Sequence, residues 1–162
     1  MKKTKNFIIK SNKQCFYTFE AGPTHNGFES AKRLILCSAQ SGADAVKFQI
    51  CSADNLFSDK NYKINYKILK RNGHFQNKKE SVYKLIKKRE LKDDEWLELK
   101  KIADRNKINF FATVFDEEGL NLVKKMKCNS IKIASSDINY HQLISKAAKT
   151  KFSIQIDTGN ST

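Results

Sequence analysis

The chain has 162 residues, and its 40% hydrophobic content with only 6 Gly and 1 Pro reads as a globular domain rather than a disordered segment. Thirty-one Lys and Arg against 17 Asp and Glu give a formal charge of +14. The lysines are dispersed and no basic motif is interleaved with aromatics, which favours a solvated surface over a nucleic-acid footprint. No apolar run approaches the ~18 residues of a membrane span, and the apolar piece at residues 7–9 is too short for a signal sequence, so the expected location is the cytoplasm.

The predicted elements alternate between short β-branched or aromatic runs and helical periods. A small hairpin is expected over residues 5–15, followed by a strand at 16–21. The helix at 29–41 has Ala31, Leu34 and Ile35 on one face, and Gly42 stands where a helix-ending glycine belongs. A strand at 45–50 (AVKFQI) precedes a long polar stretch at 52–79. Helices are expected at 80–88 and 93–106, the second opening on Asp93, Asp94 and Glu95 against its dipole. Strand 109–115, helix 117–127, strand 130–135, helix 140–149 and strand 152–157 complete the series.

Strands alternating with helices imply parallel βαβ units with right-handed crossovers, and near-continuous apolar strands imply helical cover. The polar residues gather at the strand ends. Glu20 and His25 follow the first strand, and Lys47 and Gln49 lie in the second. Thr113 and Asp116 close the third, Lys132, Ser135, Ser136 and Asp137 the fourth, and Asp157 and Thr158 the fifth. Both a (β/α)₈ barrel and an open doubly wound sheet bind ligands there, so placement alone leaves the two open. The absence of GxGxxG and GxxxxGK[ST] argues against a nucleotide fold.

Lys47 sits in mid-strand between Val46 and Phe48. An unpaired buried cation is costly, so a ligand-binding role outweighs a chance surface lysine there and at Lys132, and Glu20 carries a similar argument. His25 is balanced between acid–base work and a backbone contact that shapes the turn. Thr113 and Ser135 alone are ordinary strand residues, and Asp116 and Asp137 read equally as helix caps or ligands. His74 and His141 are expected at the surface or in packing. Cys15, Cys37, Cys51 and Cys128 form no CxxC pair and no metal spacing, so reduced, mostly buried thiols are expected.

EAGPTHNG (20–27), GADAVKFQ (42–49), FFATVFD (110–116), SIKIASSD (130–137) and the DTGNST ending follow one another in an order that resembles the sialic acid synthases and related nonulosonic acid synthases. The resemblance runs from about residue 7 to 162. It implies a parallel α/β chain of the (β/α)₈ TIM-barrel type, incomplete, with about five of eight strands. It also implies condensation of phosphoenolpyruvate with N-acetylmannosamine or a related N-acetylated amino sugar, using a divalent metal such as Mn²⁺ or Mg²⁺. Lys47 and Lys132 would be the cationic contacts of phosphoenolpyruvate, with Thr113 and Ser135 hydrogen-bonding its phosphate or carboxylate. Glu20 would stand near the sugar and metal with His25 beside it as a catalytic residue, and Asn77 would touch the sugar. Asp157 would line the phosphate side, where the family usually has Ser, and Thr24 stands where it has Asn.

The family's metal-binding histidines lie in later strands, so this chain is expected to supply no metal ligand. A missing C-terminal half or a second copy is the expected partner, in a truncated or split form of the enzyme. The alternative is a catalytically inactive remnant that binds an anion or a partner subunit.

Overall fold

A computed structural model describes residues 15–159, so the hairpin expected at 5–15 lies, but for its last residue, outside the described residues. The main sheet has five parallel strands in the spatial order β1 (Thr18–Gly22), β2 (Ala45–Ile50), β5 (Asn109–Val114), β6 (Ser130–Ile133) and β7 (Ser153–Ile156). Spatial order follows chain order with no reversal. A doubly wound sheet reverses at a switch point, whereas a barrel is wound in one direction, so this topology selects the barrel type that the sequence left open. The described strands form an incomplete barrel wall, with β1 and β7 at its edges.

One-way winding puts the helices on one face. Val46, Phe48, Ile50, Phe110, Ala112, Val114, Ile131 and Ile133 pack there against residues of the helices α1 (Phe28–Gln40), α4 (Asp93–Arg105), α5 (Glu117–Lys125) and α6 (His141–Ala148). The centre of that layer is aromatic. Phe48 stacks on Phe110 with ring centroids 5.3 Å apart, and Trp96 meets Phe48 edge-on at 5.8 Å. Such pairs add to the area burial that drives the packing.

Local chemistry fixes the helix ends. The Glu95 carboxylate accepts the Lys92 backbone N–H at 2.8 Å, and Asp93, Asp94 and Glu95 oppose the α4 dipole. Asp116 caps α5 by accepting the Gly119 N–H at 2.7 Å, which settles its two sequence readings in favour of the cap. Past α1, Gly42 takes φ +77° and donates its N–H to Ala39 O, as an αL helix terminator does.

The polar stretch at 52–79 is not a loop. It holds the short helix α2 (Ala53–Leu56) and an antiparallel hairpin of β3 (Lys63–Leu69) and β4 (Phe75–Ser81). The turn is formed by Lys70–Gly73, with the Gly73 N–H donating to Lys70 O and Gly73 at φ +79°. KINYKIL alternates in exposure along β3, so the strand period and the Asn72-Gly73 turn signal were both present in the sequence. The helix expected at 80–88 consequently starts later, as α3 (Val82–Lys87), capped by the Ser81 hydroxyl. Asp54 fastens the base of this insertion, bonding Lys60 at 2.7 Å, Lys87 at 2.8 Å and the Tyr83 hydroxyl at 3.0 Å. No helix among the described residues is long and apolar enough to cross a membrane.

The cysteines depart from expectation as well. All four are free, but Cys15 and Cys37 are exposed and Cys51 is half-buried, leaving Cys128 as the buried one. Burial pushes the Cys51 thiol up to about 11 and the Cys128 thiol up to about 12, so both are protonated and inert at neutral pH. His74 and His141 are exposed, as a surface role requires.

Candidate functional site

Strand alternation sends every second side chain away from the helix layer. Glu20 pairs in register with Lys47, Thr113 with Lys132, and Lys132 with Gln155. Phe111, opposite Lys47, is two residues before Thr113, so these residues share the inner face. The outer face is apolar. The inner one is charged.

On that face the Lys47 ammonium lies 2.6 Å from Glu20 Oε2 and donates to Thr113 Oγ1 at 3.1 Å. The Lys132 ammonium lies 2.5 Å from Asp157 Oδ2. Lys47 is only 3% exposed. Burial lowers its pKa below the usual lysine value, against the raising effect of Glu20, and the neighbouring Lys132 charge adds to the lowering. For Lys132, burial acts in the same direction, but the hydrogen bond and charge of Asp157 outweigh it and the pKa is raised. The result is two adjacent cations, each held by its own carboxylate.

The backbone at the end of β1 is built around Glu20. The β1–β2 register shifts between Glu20 and Gly22, so Ala21 is an extra residue, a bulge that re-aims the strand end. Gly22 follows at φ +47°, and a Cβ there would stand 3.3 Å from Glu20 Oε1. Glycine at this position leaves room for the carboxylate. At the other end of the sheet Asp157 lies just past β7, and a Cβ on Gly159 would be 3.5 Å from Ser135 Oγ. Ser135 itself opens a short 3-10 helix (Ser135–Asp137) rather than ending β6. Asp137 is not the cap of α6. Burial raises the pKa of its carboxyl, and its Oδ2 is buried with no hydrogen-bond partner.

The structure thus brings together Glu20, Lys47, Thr113, Lys132 and Asp157, with Ser135 close to the Asp157–Gly159 segment. It does not bring His25 to this group. His25 is 1% exposed, with its ring 5.9 Å from Phe48 and 5.8 Å from Trp96, inside the helix-side layer. The turn after β1 carries the ring to the opposite face from Lys47, where it packs behind the sheet. Asn77 lies in the middle of β4, exposed and opposite Lys67 on the hairpin. It belongs to the two-stranded sheet rather than to the inner face. Gln49 shares the face of Lys47 two residues on, and its amide would lie 3.8 Å from a Cβ on Gly22. The alternation of Lys47, Phe48 and Gln49 was the signal for it.

Burial of His25 lowers its pKa below 6.5; the Arg89 charge adds to this and Glu95 opposes it. The folded state therefore resists protonation while the unfolded chain accepts it at its ordinary pKa. Stability is retained above about pH 6.5 and declines as the pH falls below it. Thermal unfolding between pH 7 and 5 is expected to show this decline, and His25→Phe, which keeps an aromatic ring without the titration, is expected to flatten it.

Comparison with known proteins identifies the family. The family model described as "NeuB family" matches residues 34–162. The chain belongs to the NeuB family. It is 33% identical over 150 residues to the N,N'-diacetyllegionaminic acid synthase of Legionella pneumophila, covering 92% of this chain and 41% of that one. It is 29% identical over 147 residues to the N-acetylneuraminate-9-phosphate synthase of Homo sapiens, covering 90% and 39%. Among solved structures it is similar to the N-acetylneuraminic acid synthetase of Leptospira borgpetersenii, with a TM-score of 0.76 and 29% identity, covering 94% of this chain and 47% of that one. This NeuB-family chain spans about two fifths of the length of the relatives it matches.

Synthases of this family generally use a metal. Among the described residues, no group of three or more His, Cys, Asp or Glu is arranged to hold one. The inner face offers two carboxylates, Glu20 and Asp157, and both are engaged by lysines. Among the described residues, the donor set of the inner face does not fit a metal centre.

Proposed function

We infer that this chain carries the phosphoenolpyruvate side of a nonulosonic acid synthase site, serving condensation with N-acetylmannosamine or a related N-acetylated amino sugar. The observation that carries the reading is the pair of adjacent lysines on the sheet face turned away from the helices, flanked by the Thr113 hydroxyl. Phosphoenolpyruvate bears up to three negative charges. Ammonium groups suit its phosphate as point charges, and a hydroxyl fixes orientation. In the reaction the C3 carbon of phosphoenolpyruvate bonds to the sugar aldehyde carbon as the carbonyl π bond opens and its oxygen takes a proton; water adds at C2 and gives up a proton, and the C2–O bond to the phosphate breaks, leaving a ketone and inorganic phosphate. Lys47 and Lys132 would hold the anion and stabilise charge on the departing phosphate, while Thr113 and Ser135 orient it. Glu20, on Lys47, is placed to accept a proton at its free oxygen.

Calorimetric titration of the chain with phosphoenolpyruvate tests this. Binding is expected, and Lys132→Ala is expected to abolish it. Absence of binding at millimolar ligand would overturn the reading. A phosphate-release assay with phosphoenolpyruvate, N-acetylmannosamine and Mn²⁺ separates binding from turnover. Binding without turnover would favour the second reading, an anion-binding chain without activity, which the fully paired lysines also support.

A further inference from the structure

The four charged groups of the inner face, Glu20, Lys47, Lys132 and Asp157, sum to zero. A neutral cluster has little attraction for an anion, so one pair must open for a ligand to enter. The two pairs are not equivalent. The Lys47 side chain is 4% exposed and is held by Thr113 as well as Glu20. The Lys132 side chain is 18% exposed and that of Asp157 is 50% exposed. Glu20 lies within β1 against Gly22, whereas Asp157 lies beyond the last residue of β7. An Asp side chain at a strand end can rotate into water with little loss of packing.

We propose that Asp157 is a built-in counter-ion that competes with the anionic substrate for Lys132, so that a phosphate or carboxylate enters by displacing it. Asp157 is then not a substrate contact but the residue that sets how strongly the site takes up anions. It also sets which anions enter, since a ligand must out-compete a carboxylate already 2.5 Å from the ammonium. The same segment reaches Ser135 through Gly159, so displacing Asp157 would expose the lysine and the Ser135 hydroxyl together. This rests on the reading of the inner face as an anion site.

Titration of the full chain with phosphoenolpyruvate, and separately with inorganic phosphate, tests it in wild type, Asp157→Asn and Asp157→Ser. Both variants are expected to bind each anion at least tenfold more tightly, about 1.4 kcal/mol. Adding Lys132→Met to either variant is expected to remove the gain. Wild-type binding that is equalled or weakened in both variants would overturn the counter-ion role while leaving the anion site standing. Failure of wild type and both variants to bind either anion would overturn the anion site itself. Asp157→Asn keeps the side-chain shape, so a loss of folding confined to Asp157→Ser leaves the comparison intact.

Discussion

Trp96→Ala is expected to destabilise the protein by about 3–5 kcal/mol, read as a lowered denaturation midpoint with an unchanged slope. Trp96 is 3% exposed and meets three rings, His25, Phe48 and Phe110. It joins α4 to the sheet at the point where β2 and β5 lie side by side. Its removal opens a cavity in a layer that also contains Leu99, Ile102 and Ala103 from the same helix. Small domains have a total stability of roughly 5–15 kcal/mol, so much of the chain would be unfolded at modest temperature. Trp96→Phe retains ring contact and is expected to recover more than half of the loss. A midpoint shift below about 1 kcal/mol for the alanine variant would mean that the layer repacks without it.

Lys47→Met is expected to separate stability from binding. The ammonium is buried between Glu20 and Thr113, and methionine has a similar volume without the charge. Removing one partner of a buried pair normally leaves an uncompensated charge, but the Glu20 side chain is 55% exposed and water can take over its solvation, while the cost of desolvating the ammonium disappears. The unfolding midpoint is therefore expected to fall only slightly. Removing a close buried charge partner typically costs a complex 2–5 kcal/mol, so phosphoenolpyruvate binding is expected to weaken by about thirtyfold or more. A large stability loss with binding retained would make Lys47 a structural ion pair and no more.

The parallel strands were legible because helical cover leaves them apolar over most of their length: AVKFQI, NFFATV and SIKI stand out in any reading. Their spatial order was not legible from alternation alone, and it is that order which distinguishes a barrel from an open sheet. The hairpin was obscured by its own exposure. Lys63, Asn65 and Lys67 alternate with the half-buried Ile64, Tyr66 and Ile68, and the charged residues dominated the reading. At the site, Lys47 and Lys132 stand out in the sequence by the cost of burying a cation, and both lie on the inner face. The placement of the His25 ring was not legible, because a residue in a turn after a strand has no face that periodicity can assign. Its aromatic neighbours come from β2 and α4, far along the chain. The pairing of Asp157 with Lys132 depends on two strand ends meeting in space, which no local spacing encodes.

The sequential strand order has a consequence for how the chain assembles. β1 with β2, β5 with β6, and β6 with β7 are each linked through a single helical crossover, so these contacts close short loops. The exception is the junction of β2 and β5, where Asn109 donates to Asp44 O across 65 positions, with the hairpin and three helices between them. Closing that span is the costliest step in chain entropy, though the cost rises only slowly, by about 0.6 kcal/mol for each doubling of loop length. The β2–β5 seam is therefore expected to be the slowest of these contacts to form. It is also the seam that joins Lys47 to Thr113, so the site's central contact forms only once the slowest loop has closed.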